Sequence, residues 1–526
     1  PRMAIHAVSL PPLGGSLARP GGVSSSSGRT SRPLTVGRPL GAVRAPRSSK
    51  LDVLATQTRP ARRGPPHRPR TTITTAASSA EPAAAPNLGA GFDWKRQWYV
   101  IEWLDRITVG VPYKFDLMDE PMVAFRREGG EPPLVFYDRC PHRRAPLSEG
   151  VMLADGSGVR CAYHGWEFSA GGECTRIPQK EDGGRCAEGH PGCAGVIYSA
   201  VEFQGKLCVW AEPGRTDPPM EALLPQCGIS CLEDPDVAAA VNNRNMQFSR
   251  DMPLDMPILL ENILDPDHGE YAHQVSMFDS FCAKGAAAGA VSVSSATTPL
   301  QAAPGGSGAA SAAPGGADAE ITTIRYDIKN KAGDTCKIKY TAPAKATWYR
   351  PESEKTIAVG VIEFYTVPVG VGRTRLLFRL APLRMKEGKT RKRPPTWLVH
   401  LSQNRFLDQD TAVLAAQQEH VLGAELRDPE GAARKAGYIY RSASDKLLVA
   451  VGQFLDASLR SMPNRRAGLE RLAGAGGLTE GGALPSARVP REVALDRGLT
   501  HADGCPVCQA AARNFALGAV AARAAA

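Results

Sequence analysis

The sequence predicts an α+β protein in two parts: a small antiparallel β domain, then a larger domain whose antiparallel sheet is flanked by helices. Three observations predict it. From Trp94 to about residue 215 the chain is a series of short alternating runs such as "PPLVFYDRC", "GVRCAYHGWEFS" and "VEFQGKLCVWAE", punctuated by Gly, Pro and Asp, the pattern of strands joined by tight loops. Two later segments, "AEITTIRYDIKNKAGDTCKIKYTAP" and "KTIAVGVIEFYTVPVGVGRTRLLFRLAP", each read as a strand pair around a turn. Two stretches, "MPILLENILDPDHGEYAH" and "PPTWLVHLSQNRFLDQDTAVLAAQQEHVLGAEL", carry helical periodicity, and sheet plus flanking helices is the assembly that buries both.

Residues 1–80 precede the folded part. They hold 13 Lys and Arg against one acid, Asp52, a net +12, while 50 basic residues face 52 acidic ones in the remainder, so the whole positive surplus of the chain sits there. A near-neutral body gives no support to nucleic-acid binding. The segment is rich in Ser, Thr, Ala, Arg and Pro, the composition of an organellar transit peptide without the apolar stretch of a secretory signal. It is read as a disordered plastid transit peptide cleaved near residues 70 to 85, and the protein as chloroplastic. Twelve cysteines in 526 residues are too dilute for a disulfide scaffold, and their close pairs suggest metal or redox use. No run reaches the roughly 18 apolar residues of a membrane span.

The β domain, residues 94–215, contains "CPHRRAPLSEG" and "CAYHGW", which place Cys140, His142, Cys161 and His164 at strand ends. Zinc sites of two cysteines and two histidines usually take each kind as a close pair. Here each loop brings one of each, which suits a [2Fe–2S] cluster with Cys140 and Cys161 on one iron and His142 and His164 on the other.

The second domain, 216–460, begins with its best helix candidate. On a helical wheel Glu261, Asn262, Asp265, His268 and His273 fall within about 140°, with Leu259, Leu260, Ile263, Leu264 and Tyr271 on the opposite arc. The five-residue spacing of His268 and His273 predicts a local widening or a helix end. Two histidines invite one carboxylate, the set that holds non-haem Fe(II) with open positions. In the later helix Phe406, Asp410, Val413, Leu414, Gln417 and Val421 share about 100° of arc, whereas Asp408 lies opposite. A carboxylate amid an apolar stripe must be paired or metal-bound, so Asp410 is preferred to Asp408. Residues 283–319, dominated by Ala, Gly, Ser and Pro, read as a disordered insertion. Residues 461–526 read as a linker and tail ending in "HADGCPVCQAA". Cys505 and Cys508 there are a redox dithiol, half of a zinc site, or two cysteines of no special role, and are carried forward as a candidate redox dithiol. Cys186, Cys193, Cys227, Cys231 and Cys282 belong to no motif, and His190, His400 and His420 read as surface or satisfied core groups.

The C-x-H and C-x-x-H pair resembles the Rieske family residue for residue. With the D-x2-H-x4-H stretch and a late Asp, the chain resembles the Rieske non-haem iron oxygenases. The C-terminal C-x-x-C is similar to the plastid branch that holds pheophorbide a oxygenase, the Rieske subunit of the inner-envelope import translocon and a protochlorophyllide-associated relative. The resemblance implies a [2Fe–2S] cluster fed by ferredoxin, and mononuclear iron on His268, His273 and Asp410. It implies catalytic assistance from Asn262 and Asp265, the latter as the bridge to a cluster histidine of a neighbouring subunit in a homotrimer. It further implies a monooxygenase of chlorophyll catabolism acting on a hydrophobic tetrapyrrole, associated with the envelope or thylakoid membrane. Its rival is a redox-sensing component of the import machinery.

Overall fold

The computed structural model describes residues 88–180, 188–230, 246–273, 287–297, 320–329, 335–350, 358–385, 394–428, 433–442, 445–474 and 476–525. The transit-peptide segment, Cys186, Cys231, Cys282 and residues 298–319 of the Ala/Gly-rich stretch lie outside them.

The N-terminal β region runs through β1 (Trp98–Trp103), β2 (Pro112–Leu117), β3 (Glu120–Phe125), β4 (Leu134–Tyr137), β5 (Val151–Met152), β6 (Gly158–Arg160), β7 (Glu167–Ser169), β8 (Cys174–Arg176), β9 (Ile197–Tyr198), β10 (Ala200–Phe203) and β11 (Lys206–Trp210). They form three antiparallel sheets, ordered β1-β11-β10, β2-β3-β4-β9 and β5-β6-β7-β8. The last is a small ribbon whose Val159, Trp166 and Phe168 share an apolar centre with Val123, Phe125, Leu134 and Phe136 of β3 and β4. Every residue of β1 is buried, because the remaining domain covers the face that an isolated sheet would leave wet. Its tryptophans also bond across: Trp103 Nε1 donates to the Phe248 carbonyl at 3.0 Å and Trp94 Nε1 to that of Ser458 at 2.8 Å. Large rings with one N–H to satisfy suit such a seam.

The second region is a seven-stranded antiparallel sheet of β12 (Met246–Met252), β13 (Ala287–Thr297), β14 (Glu320–Lys329), β15 (Thr335–Thr341), β16 (Lys345–Arg350), β17 (Ala358–Gly370) and β18 (Arg373–Met385), ordered β12-β18-β17-β16-β15-β14-β13. Over it lie α1 (Met256–Leu264), α2 (His268–Ala272), α3 (Thr396–Arg427) and α4 (Asp445–Ser458), followed by α5 (Arg465–Ala473) and α6 (Pro506–Ala525). The α+β class and both predicted strand pairs are found. Between the sheet and the β region sits a buried ionic group: Glu363 lies 3.3 Å from Lys206 Nζ and 2.5 Å from Arg379 Nη2.

Three expectations are corrected. Residues 287–297 of the supposed insertion form β13, paired with β14 with one register shift between Ala288 and Val291, since Val291, Val293 and Thr297 supply β-forming residues within the Ala/Gly text. The supposed linker after residue 461 is bound to the domain. Arg465, 5% exposed, grips Asp255 with two bonds of 2.7 Å and Glu425 with bonds of 2.7 and 2.6 Å; one bidentate arginine of this kind anchors what composition reads as loose. The stretch from Met256 to His273 is not one helix. It stops at Leu264 because Asp265 precedes Pro266 and turns extended, at φ −80° and ψ 115°. Tyr271, expected on the core face, is consequently 85% exposed.

Candidate metal centres

The two Cys/His loops close in the same way. The Cys140 N–H donates to the Ala145 carbonyl at 2.8 Å and accepts at its own carbonyl from Arg144; Cys161 repeats this with Trp166 and Gly165. In each loop the fifth residue is left-handed, Arg144 at φ 60° and Gly165 at φ 72°, which turns the chain back over the cysteine. The matched loops bury both thiols and bring the His142 and His164 rings within 4.6 Å of each other, with His142 exposed. Burial pushes the Cys140 thiol up to about 12, with the Cys161 sulfur beside it adding to the rise, so two thiolates here need a cation to hold them. A cluster fits these donors, sulfur on the inner iron and imidazole on the outer, solvent-facing one.

The second centre gathers at the break between α1 and α2. The freed Asp265 backbone carbonyl accepts from His268 Nδ1 at 2.7 Å, and the Asp265 carboxylate accepts the Asp267 N–H at 2.8 Å. His273 Nδ1 lies 3.2 Å from Gln409 Oε1 while its ring stacks on Phe406 at 3.7 Å. Both histidines thus spend Nδ1 on the protein and turn Nε2 inward. Asp410 Oδ2 lies 3.9 Å from Nε2 of His268 and 3.4 Å from Nε2 of His273. Burial pushes the Asp410 carboxyl up to about 6 and lowers the His273 imidazole to about 4. Two neutral imidazoles and one carboxylate converging this closely fit a divalent iron with open positions. His268 and Asp410 line a small pocket, about 50 Å³ of cavity, walled by Leu259, Ile263, Trp348, Ile362, Phe364 and Phe406 and shared with Asn262 and Asp265.

Asp408 does not join this centre. It pairs with Arg250 at 2.8 Å and with Arg497 at 2.6 Å, and so is not the solvated opposite face of α3 that the wheel implies. Glu261, placed by the wheel among the ligand candidates, is buried against Arg434 at 2.6 Å and Tyr438 at 3.1 Å. His190 and His420 are exposed. His400 is corrected: it is 4% exposed and its Nδ1 lies 3.5 Å from the sulfurs of both Cys505 and Cys508. His501 stands beside them, with Nε2 3.4 Å from Cys508 Sγ. The sequence signal was there in "HADGCPVC", but His400 lies about a hundred residues upstream and only the fold connects it.

Residues 97–190 match the family described as Rieske [2Fe-2S] domain, and residues 335–426 the family described as pheophorbide a oxygenase. The chain carries a Rieske [2Fe-2S] domain and a pheophorbide a oxygenase domain. The first match names the [2Fe–2S] cluster that the Cys/His loops fit, and the second donor set fits a mononuclear iron. Asp410 falls inside the second match, while His268 and His273 fall between the two. Among its relatives, chloroplastic pheophorbide a oxygenase of Oryza sativa subsp. japonica is 33% identical over 35% of this chain and 33% of its own length. The chain therefore spans about a third of that relative's length. The chloroplastic protochlorophyllide-dependent translocon component 52 of Arabidopsis thaliana is 27% identical over 82% of the chain and 76% of its own length. The chloroplastic flavonoid 8-hydroxylase 2 of Ocimum basilicum is 25% identical over 84% and 79%. The protein, like these relatives, is chloroplastic.

Proposed function

We propose that the protein is a ferredoxin-dependent monooxygenase of a hydrophobic, planar substrate, a chlorophyll-derived tetrapyrrole by the names of its pheophorbide and protochlorophyllide relatives. The observation that carries the reading is the convergence of His268, His273 and Asp410 at the edge of an apolar pocket. In it Cys140, Cys161, His142 and His164 hold the cluster, and His268, His273 and Asp410 hold the iron. When bound, the two groups supply electron relay and dioxygen activation.

The chain's own residues do the rest. The exposed His142 edge offers a ferredoxin-type donor access to the electron-receiving side. Phe406 and Gln409 fix the His273 ring, and the Asp265 carbonyl fixes that of His268, so that each presents Nε2 without reorganisation. Leu259, Ile263, Trp348 and Phe364 exclude water from the reacting face and favour a flat apolar ligand. Asp265, about 30% exposed at its side chain, is free at one edge to bridge to a cluster histidine of a neighbouring subunit, the arrangement of a homotrimer. Tyr163 and Tyr271, 58% and 85% exposed, are large rings that a partner subunit or a membrane surface would cover. Among the described residues no helix is long and apolar enough to cross a membrane.

The test is anaerobic reconstitution with reduced ferredoxin and a panel of chlorophyll catabolites and flavonoids, followed by dioxygen and mass spectrometry. Addition of oxygen to a tetrapyrrole is expected, and its loss in His268→Ala with the Rieske spectrum retained. Oxygenation of flavonoids alone would replace the substrate class. A second reading, a redox-sensing component of import machinery, is favoured by the translocon relative's name. It requires that His268→Ala leave import intact and that no panel member turn over.

A further inference from the structure

Apart from the two candidate iron centres, one further cluster of metal-ligating side chains stands among the described residues: His400 on α3, His501 just before α6, and Cys505 and Cys508 at the start of α6. We propose that these four residues form a third metal centre, a closed tetrahedral zinc site that fastens the C-terminal segment to the catalytic domain.

Four observations support it. The first is distance. Zinc bonds of about 2.3 Å to sulfur and 2.0 to 2.1 Å to nitrogen at a tetrahedral angle put sulfur and nitrogen about 3.5 Å apart. The pairs here stand at 3.5, 3.5 and 3.4 Å. All four donor atoms lie within 4.8 Å of one another.

The second is tautomer. His400 Nε2 is 3.1 Å from the Gln247 carbonyl, and His501 Nδ1 is 2.7 Å from the Ser249 carbonyl. A carbonyl can only accept, so each of these ring nitrogens carries the proton. The opposite nitrogen of each neutral ring then offers its lone pair to the centre. Metal-bound histidines are usually steered by an outer carbonyl in this way. Both carbonyls belong to β12, and the ring of Phe248 between them stacks on His501 at 4.5 Å.

The third is burial. His400 and His501 are each 4% exposed and Cys505 is 1% exposed. A zinc ion with two thiolates and two neutral imidazoles is a net-neutral unit, which such a site can hold without an unpaired charge.

The fourth is the contrast with a disulfide. Both cysteines are free. Joining them would remove the only protons or cation available to two inward-facing nitrogen lone pairs, leaving acceptors buried against acceptors. The candidate redox dithiol of the sequence is therefore better accounted for as half of a metal site whose other half comes from the fold.

The proposal is separate from the oxygenase reading, because its test measures metal and not turnover. Full-length protein purified without added zinc is expected to hold about one zinc besides about three irons per chain. X-ray absorption at the zinc edge is expected to show two sulfur and two nitrogen neighbours. Zinc that had strayed into the mononuclear iron centre would show no sulfur, and zinc at the Cys140 and Cys161 loops would survive loss of Cys505 and Cys508. Cys505→Ser with Cys508→Ser is expected to lose the zinc and keep the irons. If that variant fails to fold, His501→Cys keeps four ligands and is expected to retain zinc with three sulfurs. Iron-replete protein without zinc, zinc with no sulfur around it, or a Cys505 to Cys508 disulfide in the anaerobically purified chain would each overturn the proposal.

Discussion

Asp410 and Asp408, two residues apart on α3, separate the roles of metal ligand and structural anion, and exchanging each for asparagine should have opposite effects. Burial raises the Asp410 carboxyl to about 6 from an ordinary 3.8. A carboxyl raised in the folded state opposes folding wherever the unfolded chain is ionised, so the cost appears above about pH 4 and is complete above about pH 6. Two units correspond to roughly 3 kcal/mol at neutral pH, which bound iron offsets and an amide removes. Asp410→Asn should lose the mononuclear iron, keep the cluster spectrum, and resist denaturant better than the wild type stripped of that iron, by up to about 3 kcal/mol. Asp408→Asn should do the reverse. It leaves Arg250, fully buried at its side chain, facing a neutral amide, at a cost on the order of 3 kcal/mol, while iron content stays unchanged. Iron analysis and guanidinium unfolding after mild chelation measure both. Retention of the third iron in Asp410→Asn, or its loss in a folded Asp408→Asn, would refute the assignment.

Three further outcomes are expected. Glu363→Ala strands Lys206 and Arg379 in the seam and should destabilise by about 3 to 5 kcal/mol, read as a drop in the denaturant midpoint. Burial lowers the Lys345 amine to about 7; being depressed on folding, it should make wild-type stability rise from about pH 7 towards pH 10.5, and Lys345→Met should flatten that rise in unfolding measured across the window. At Gly158 an added Cβ would sit 2.0 Å from the Phe168 carbonyl oxygen across the β6 and β7 pair that carries the second cluster loop, so Gly158→Ala should lower the [2Fe–2S] absorbance per chain severalfold, whereas an undiminished spectrum would show that the loop does not depend on that pairing.

What could be read in the sequence was whatever chemistry sat close together along the chain. The cluster loops were legible because each closes within six residues, and the ligand types are themselves the signal. Asp410 was legible from periodicity even though the stripe was turned: Val413 is 64% exposed, while Thr411 and Gln418 are buried. The wheel failed where the helix did, at Asp265–Pro266, and the break is what releases the Asp265 carbonyl to hold His268. His400 was not legible. A histidine in an amphipathic helix looks like any satisfied core group until β12 and the C-terminal segment are placed beside it. Arg465 illustrates the same limit for stability, since its two carboxylate partners lie 40 and 210 residues away.

These long-range contacts bear on how the iron centre keeps its geometry. The helix α3 supplies Phe406, Gln409 and Asp410 to the iron, and ten residues before Asp410, about 15 Å along the axis, it supplies His400 to the four-residue cluster. Between the two stands Asp408, held by Arg250 from β12 and by Arg497 from the segment leading to His501. The same strand supplies Gln247 and Ser249 to the histidines of that cluster. So α3 is held on two faces, by the Asp408 ion pairs and by His400, and either brace keeps its register when the other is removed. A turn of one residue would swing Asp410 about 100° away from His268 and His273. On this account the C-terminal segment preserves the register of the iron ligand without touching the pocket, which explains why a C-x-x-C so far along the chain belongs with the catalytic domain.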